Sequence, residues 1–271
     1  MSALCQTAVE TFKTGDLKAA VALLEKAISA QGDCVEGHLA WARALMPSAD
    51  YIDILGHLLN LREPESYVEI GVEFGTTLKL VKPPTRAIGI DPEPQIEGSL
   101  AENISLYRST SDNFFAENDL GAILGSPFDI AFIDGLHVFE QVLRDFSNFE
   151  KYAGPDSLIL IHDCLPLDRQ TASRTRNTQF WSGDVWKIVP CLKRERPDLS
   201  LFTIPAYPTG LCLIGGLDSG SNLLSKNYDL IVDRYLALDY DAIEDKAEYF
   251  SLHVNDWQMI SETLLAMKNN G

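Results

Sequence analysis

Basic residues are scarce in this chain. Lys and Arg together number 22 against 39 Asp and Glu, a formal net charge of −17 over 271 residues. Nonspecific binding to nucleic acid or to an anionic membrane needs a basic patch, so neither partner is expected. Long apolar runs are missing too. No stretch reaches the roughly 18 consecutive apolar residues of a membrane-spanning helix. The opening Met-Ser-Ala-Leu-Cys-Gln has neither a basic region nor an apolar one, so no secretory signal is visible. Cysteine is sparse and unpatterned: Cys5, Cys34, Cys164, Cys191 and Cys212 are odd in number and contain no C-x-x-C pair. Neither a zinc site nor a disulfide framework is expected, and a reducing cytoplasm is the simple reading. What remains is a globular composition, 46% hydrophobic, long enough for one ordinary domain with an appendage or for two small ones.

The dinucleotide fingerprint G-x-G-x-x-G, which seats a pyrophosphate on a helix N-terminus, is also lacking. In its place stands Ser66-Tyr67-Val68-Glu69-Ile70-Gly71-Val72-Glu73-Phe74-Gly75-Thr76-Thr77. The apolar-rich run reads as a buried parallel strand, and the glycines as a tight turn that lets backbone approach a ligand. Glu69, two residues before the first glycine, would repel a phosphate and suit a cationic ligand.

From there the chain alternates strand and helix. Tyr67–Ile70, Ala87–Ile90, Leu106–Ser109, Phe128–Ile133 and Leu158–Ile161 read as strands, and Val138–Tyr152 as a helix. Gly183–Arg196 is expected to be mostly helical with a cap near Asp184, and Leu201–Ile204 with Leu211–Ile214 to form an antiparallel hairpin. The pattern predicts an α/β fold with a doubly wound, mostly parallel seven-stranded sheet. Residues 1–62 and 221–271 read as helical extensions flanking a central unit, 63–220. Gly15, Ala20, Leu24 and Ala27 resemble one tetratricopeptide unit, in which small residues let two helices approach closely. One such unit cannot bury its own face, so a cap on the main body, a dimer contact and a peptide-binding module all stay open.

Glu69, Asp91, Asp112, Asp134 and Asp163 fall at or just past five successive strand ends, where doubly wound sheets bind ligands. One such acid is an ordinary loop or cap residue. Five would crowd charge into a single crevice, which favours a cationic or polar ligand or a divalent metal. Here a resemblance becomes specific. Glu69-x-Gly71-x-x-x-Gly75 resembles the first motif of class I S-adenosylmethionine (SAM) dependent methyltransferases. Ile88-Gly89-Ile90-Asp91 resembles their second, and Ser111-Asp112-Asn113-Phe114 the motif beside the adenine. Phe128-Asp129-Ile130-Ala131-Phe132-Ile133-Asp134-Gly135-Leu136-His137-Val138-Phe139-Glu140 looks like the signature of the methyltransferase-24 type family. Gly154-Pro155-Asp156-Ser157 departs from that family's P-G-G turn. The resemblance spans about residues 64–216.

The resemblance implies a Rossmann-like fold and SAM as cofactor, bound by Glu69, Gly71, Gly75, Thr76, Asp91, Ser111, Asp112 and Asp134. It implies methyl transfer to a hydroxyl of a sugar, glycan or secondary metabolite. His137 is expected to be the proton acceptor, with Asp134 and Asp163 orienting it; the bland alternative is a helix-start histidine bonded to backbone. His162 is expected to point away from the site, yet Asp134, Asp163 and His162 are also the candidate ligands of a divalent metal such as Mg²⁺. A histidine among them suits a transition metal better. Trp181 and Trp186 are candidate pocket walls. Arg169, Arg174 and Arg176 sit in a polar loop and are candidates to bind a carboxylate or phosphate. The expected partner is a small-molecule or glycan substrate, and the helical ends leave a homodimer open. A non-catalytic interaction protein and an NAD-dependent oxidoreductase are the rival readings.

Overall fold

Apolar runs without polar alternation need cover on both faces of a sheet, and the central strands have it. The structure, a computed structural model, describes residues 2–268. Strands β1 (Ser66–Ile70), β2 (Arg86–Ile90), β3 (Ile104–Tyr107), β4 (Phe128–Ile133), β5 (Ala153–His162), β6 (Ser200–Ile204) and β7 (Leu211–Gly215) form one sheet ordered β3-β2-β1-β4-β5-β7-β6. β7 runs antiparallel to β5 and β6, and every other neighbouring pair is parallel. This is the doubly wound, Rossmann-like α/β sheet that the alternation predicted. The order reverses between β1 and β4, the point where such sheets open a crevice at their carboxyl ends.

Twelve helices among the described residues surround it. They are α1 (Ala3–Lys13), α2 (Leu17–Gln31), α3 (Val35–Leu45), α4 (Tyr51–Arg62), α5 (Ser111–Glu117), α6 (Leu120–Leu124), α7 (Phe139–Glu150), α8 (Ile188–Glu195), α9 (Leu223–Lys226), α10 (Tyr228–Leu236), α11 (Lys246–Tyr249) and α12 (Trp257–Lys268). On one face Val68, Ile70, Ile88, Ile90, Ala131, Ile133, Ile159 and Ile161 pack beneath α5, α7, α8 and α10. On the other, Tyr67, Ala87, Ile130, Phe132, Leu158 and Leu160 meet α4 and α12 through Ile54, Leu55, Leu58, Ile260 and Leu264. Helices from both ends of the chain therefore share one layer. Burying Ile54, Leu55 and Leu58 stabilises by roughly 1.5–3 kcal/mol each. That sum rivals the net stability of about 5–15 kcal/mol of an ordinary domain, which makes α4 part of the sheet's own core.

The three N-terminal helices pack around Cys5, Ala8, Phe12, Ala20, Leu24, Ala27 and Cys34. Asp16 caps α2 as its sequence position suggested, accepting from the Ala19 N–H at 3.1 Å. The folding brings the Cα atoms of Cys5 and Cys34 to 5.9 Å, and the two are disulfide-bonded. That corrects the expectation of no disulfide; 29 residues separate the pair, and only the return of α3 beside α1 joins them. Cys164, Cys191 and Cys212 are buried free thiols. The unit caps the loop after β5. Ala42 and Met46 pack on Leu167 and Phe180, the His38 ring stacks on Phe180 at 5.5 Å, and Asp33 accepts from the Gln179 N–H at 2.7 Å.

Several boundaries differ from expectation. β3 starts and ends two residues early, and β5 begins at Ala153, where Ser157 turns its hydroxyl onto the Phe128 carbonyl and the Gly154 N–H. Residues 222–271 are not one helical tail: α9 to α11 are followed by an extended crossing in which Leu252 bridges Thr203, before α12 resumes. Among the described residues no helix is long and apolar enough to cross a membrane. Asp184 does not cap the segment after it. Its carboxylate instead accepts from the Phe139 N–H at 2.8 Å, satisfying a free amide at the start of α7.

Candidate active site

A cavity of about 850 Å³ opens at the carboxyl ends of β1, β2, β4 and β5. Pockets for a drug-sized ligand run from roughly 300 to 1,000 Å³, and this one lies in the upper part of that range.

Its first half is built on the glycine turn. Gly71 adopts φ +87°, and a Cβ there would lie 1.9 Å from the Asp134 carbonyl oxygen. Only glycine lets the end of β1 abut the end of β4 this closely. Asp91, at the end of β2, fastens the turn: one oxygen accepts from the Val72 and Glu73 N–H groups at 2.8 and 2.9 Å, the other from Glu93 N–H at 2.7 Å. A carboxylate has about four acceptor sites, so Asp91 keeps one free, on the oxygen that accepts from Glu93. Thr76, Ser111 and Asp112 also line the cavity. Thr110 caps α5 and sets Ser111 and Asp112 at the rim, where both accept from the Gln141 amide at 3.1 Å. Arg144 donates to Asp112 at 3.1 Å. Asp145 lies behind them, 3.0 Å from the same amide, with burial pushing its carboxyl up to about 6 against the pull of Ser111 and Gln141.

Two expected cofactor residues do not reach the cavity. Gly75 is buried behind the turn, facing Ile96. Glu69 is fully buried in β1, with the Tyr67 hydroxyl donating to one oxygen at 2.5 Å and the Thr77 hydroxyl to the other at 2.8 Å. Burial pushes its carboxyl up to about 8 even though both hydroxyls favour the charged form. Glu69 therefore braces the turn from beneath and presents no charge to a ligand.

The second half is a cluster of four. Asp134 follows β4, His137 opens the approach to α7, and His162 and Asp163 end β5. His137 takes the left-handed conformation, φ +54°, and so does Asp163 at +63°. His137 sits between the two aspartates, its Nδ1 2.9 Å from Asp163 and its Nε2 3.5 Å from Asp134. Burial would lower its pKa; Asp163 and Asp134 more than offset that and raise it well above 6.5. His162 turns into the site rather than away from it, with Nδ1 3.2 Å from Asp134 and Nε2 3.3 Å from the Thr209 hydroxyl. Burial lowers the His162 pKa as well, and again the two aspartates outweigh it. For Asp134, burial works upward while the His162 and His137 imidazoles pull harder, holding the carboxyl below the usual range. Asp163 accepts from Thr209 at 2.5 Å through one oxygen; its other oxygen is buried and has no aligned hydrogen bond.

Sequence reasoning missed Tyr51 and Thr209, which complete this cluster from opposite ends of the chain. The Tyr51 ring lies 4.1 Å from that of His162, and burial followed by the charges of Asp134 and Asp163 raises its phenol pKa. The Tyr51 N–H donates to the Tyr207 carbonyl, which ties the start of α4 to the hairpin that carries Thr209. Trp181 stacks on His137 at 5.5 Å and is a cavity wall; Trp186 is not, being packed against Tyr240, Tyr249 and Phe250 in the core. Arg169 and Arg174 are taken up by ion pairs, the first with Asp239 and Asp241, the second with Glu140 and Asp184. Arg176 reaches the cavity.

Residues 68–164 match the family model described as a methyltransferase domain. An uncharacterized protein, R132 of Acanthamoeba polyphaga mimivirus, is 32% identical over 133 residues, 42% of this chain and 58% of that protein. The chain thus spans less than two thirds of that relative. Among solved structures, cofactor-bound Rv0187 from MTB aligns over 67% of this chain and 90% of its own, at 16% identity and a TM-score of 0.49. The O-methyltransferase TomG from Streptomyces achromogenes, involved in tomaymycin synthesis and solved with SAM, covers 60% of this chain and 78% of its own, at 17% identity and 0.44. The O-methyltransferase from Bacillus cereus in complex with SAH covers 76% and 99%, at 14% identity and 0.42.

Proposed function

We propose that this chain is a SAM-dependent methyltransferase that acts on a hydroxyl group of a small acceptor, a sugar, glycan or secondary metabolite. One observation carries the reading. The segment that matches a methyltransferase domain supplies Gly71, Asp91, Asp112, Asp134, His137, His162 and Asp163 to a single cavity. SAM, when bound, supplies an electrophilic methyl group. Gly71 would admit the cofactor's backbone-hugging portion, the remaining acceptor site of Asp91 would receive a ribose hydroxyl, and Ser111 and Asp112 would hold the adenine edge.

Methyl transfer to oxygen needs the acceptor aligned and its proton removed. His137 and Asp134 are the more exposed members of the cluster. As an imidazolium braced between two carboxylates, His137 holds no free lone pair. The active form is therefore the one in which the cluster has lost a proton, and the four residues share that titration. Trp181 and Thr209 fix the imidazole and Asp163 respectively.

Asp134, His162 and Asp163 offer donor atoms within 4.8 Å of one another, close enough to share a cation. The mixed nitrogen and oxygen set suits a transition ion better than Mg²⁺. These three residues would hold it, and its charge would acidify a nearby hydroxyl.

Calorimetric titration with S-adenosylhomocysteine and, separately, with NADH tests the reading. Micromolar binding of the first and none of the second is expected. Binding of NADH alone, or of neither, refutes it.

A further inference from the structure

Among the described residues, six carboxyl side chains line the cavity, from Glu73, Asp91, Asp112, Asp134, Asp145 and Asp163, and against them stands one Lys or Arg side chain, that of Arg176. Its position is informative. Asp91 and Asp112 follow β2 and β3, while the loop that carries Arg176 leaves β5. Four interstrand steps separate β3 from β5, about 19 Å at roughly 4.8 Å a step. Arg176 itself lies 5.8 Å from the centre of the Trp181 ring, which stacks on His137 at 5.5 Å, so the arginine stands on the His137 side of the cavity.

It is also uncommitted. Among the described residues no carboxylate lies within 4.0 Å of Arg176, whereas Arg169 and Arg174 in the same loop are both ion-paired. Its guanidinium donates to the Gln179 carbonyl at 3.1 Å and lies 5.8 Å from the centre of the Trp181 ring. One donor is therefore engaged, the remaining ones are available, and the ring steadies the side chain. The stance is buttressed by the N-terminal unit, since Asp33 holds the Gln179 N–H and His38 stacks on Phe180. Part of the cavity wall is apolar. Leu136 is 65% exposed and Phe74 54%, both on the cavity, with Leu39 and Trp181 completing it.

Resting on the methyltransferase reading above, we infer that the acceptor is a hydroxyl compound with a largely apolar body and one oxyanion group, a carboxylate or a phosphate, and that Arg176 is the residue that selects it. The guanidinium fork matches either oxyanion in a two-point contact. The apolar body lies against Leu136 and Trp181, which turns the hydroxyl toward His137. A neutral sugar offers nothing to the arginine and little to the leucine. Glycans are thereby the weaker member of the proposed acceptor class.

Matched acceptors test this. Transfer of labelled methyl from SAM is measured for hydroxybenzoates and hydroxycinnamates, for hydroxyalkyl- and hydroxyaryl-phosphates, and for the methyl ester or amide of each acid, with S-adenosylhomocysteine affinity measured in parallel. Wild type should prefer the anion over its neutral partner by at least about tenfold in kcat/KM, consistent with a charged hydrogen-bond pair. Arg176→Gln should bring that ratio near one with S-adenosylhomocysteine affinity retained, and Arg176→Lys should retain part of it. Preference confined to the acids or to the phosphates identifies the oxyanion. The inference is overturned by equal use of neutral partners, by a preference that survives in Arg176→Gln, or by a protein that binds S-adenosylhomocysteine yet methylates no anionic member. Failure to bind S-adenosylhomocysteine overturns the methyltransferase reading itself.

Discussion

The two halves of the cavity satisfy their carboxylates by different means. On the β2 side, Asp91 accepts three backbone N–H groups, all within two residues of itself or from the facing glycine turn. On the β4–β5 side, Asp134 and Asp163 are met by side chains, His137, His162 and Thr209, drawn from across the fold. Backbone amides do not titrate, so the Asp91 half is a fixed mould. Imidazoles do, so the other half can exchange protons. That separates Asp91 from Asp134 and Asp163; Asp112, on the Asp91 side, is met by the side chains of Gln141 and Arg144.

Substitutions can break that separation, and the largest effect is expected at Asp91. Asp91→Ala removes the anchor of the Val72 and Glu73 amides together with the ribose-hydroxyl acceptor. S-adenosylhomocysteine affinity should fall at least about a hundredfold, given that a charged hydrogen bond contributes roughly 1.5–3 kcal/mol and several are lost. Undiminished affinity by calorimetry would refute the ribose assignment. Next comes the cluster. His137→Ala should slow turnover by about 10²–10⁴, the usual span of acid–base assistance, while S-adenosylhomocysteine affinity stays within a few fold. Because Asp163 and Asp134 raise the His137 pKa above 6.5, turnover in the wild type should climb with pH on a limb above that value. Asp163→Asn removes the larger of the two raising charges and should move the limb to lower pH. A pH–rate profile unmoved by Asp163→Asn would separate His137 from proton removal.

The smallest effect is on stability. Glu69 has a folded pKa of about 8 against an ordinary 4.5. The folded state therefore holds a proton that the unfolded chain releases between those values, and stability falls as pH rises from about 4.5 toward 8. Glu69→Gln should flatten this dependence in denaturant titrations at pH 5 and pH 8. An unchanged slope would mean that the carboxyl is charged in the fold.

Much of the first half was legible in the sequence because its parts are neighbours. Gly71 and Asp91 end adjacent parallel strands in register, and a strand followed by an acid or glycine is a local pattern. Asp134 and His137 were legible for the same reason. The rest depends on chain crossings that no window reveals. Tyr51 precedes the sheet and Thr209 follows β6, and they meet only because the start of α4 hydrogen-bonds to the β6–β7 hairpin. His162 was expected to face away since a strand alternates its side chains, yet the left-handed turn at Asp163 brings both residues onto Asp134 and His137. Glu69 misled in the opposite direction. Its position in the motif is local, but the surroundings of its side chain depend on the fold, and there Tyr67 and Thr77 take up both carboxyl oxygens. Asp184, similarly, reads as a cap for the segment it precedes and serves one that begins 45 residues earlier.

One feature of the turn Asp134-Gly135-Leu136-His137 bears on how this protein can change over generations. At one end the Gly71 Cβ position falls 1.9 Å from the Asp134 carbonyl oxygen, and at the other the Gly183 Cβ position falls 1.9 Å from that of His137. Two loops, one beside each half of the cavity, therefore clasp the same four residues with no room for a methyl group. A side chain at either glycine would push this turn, and with it Asp134 and His137, out of position.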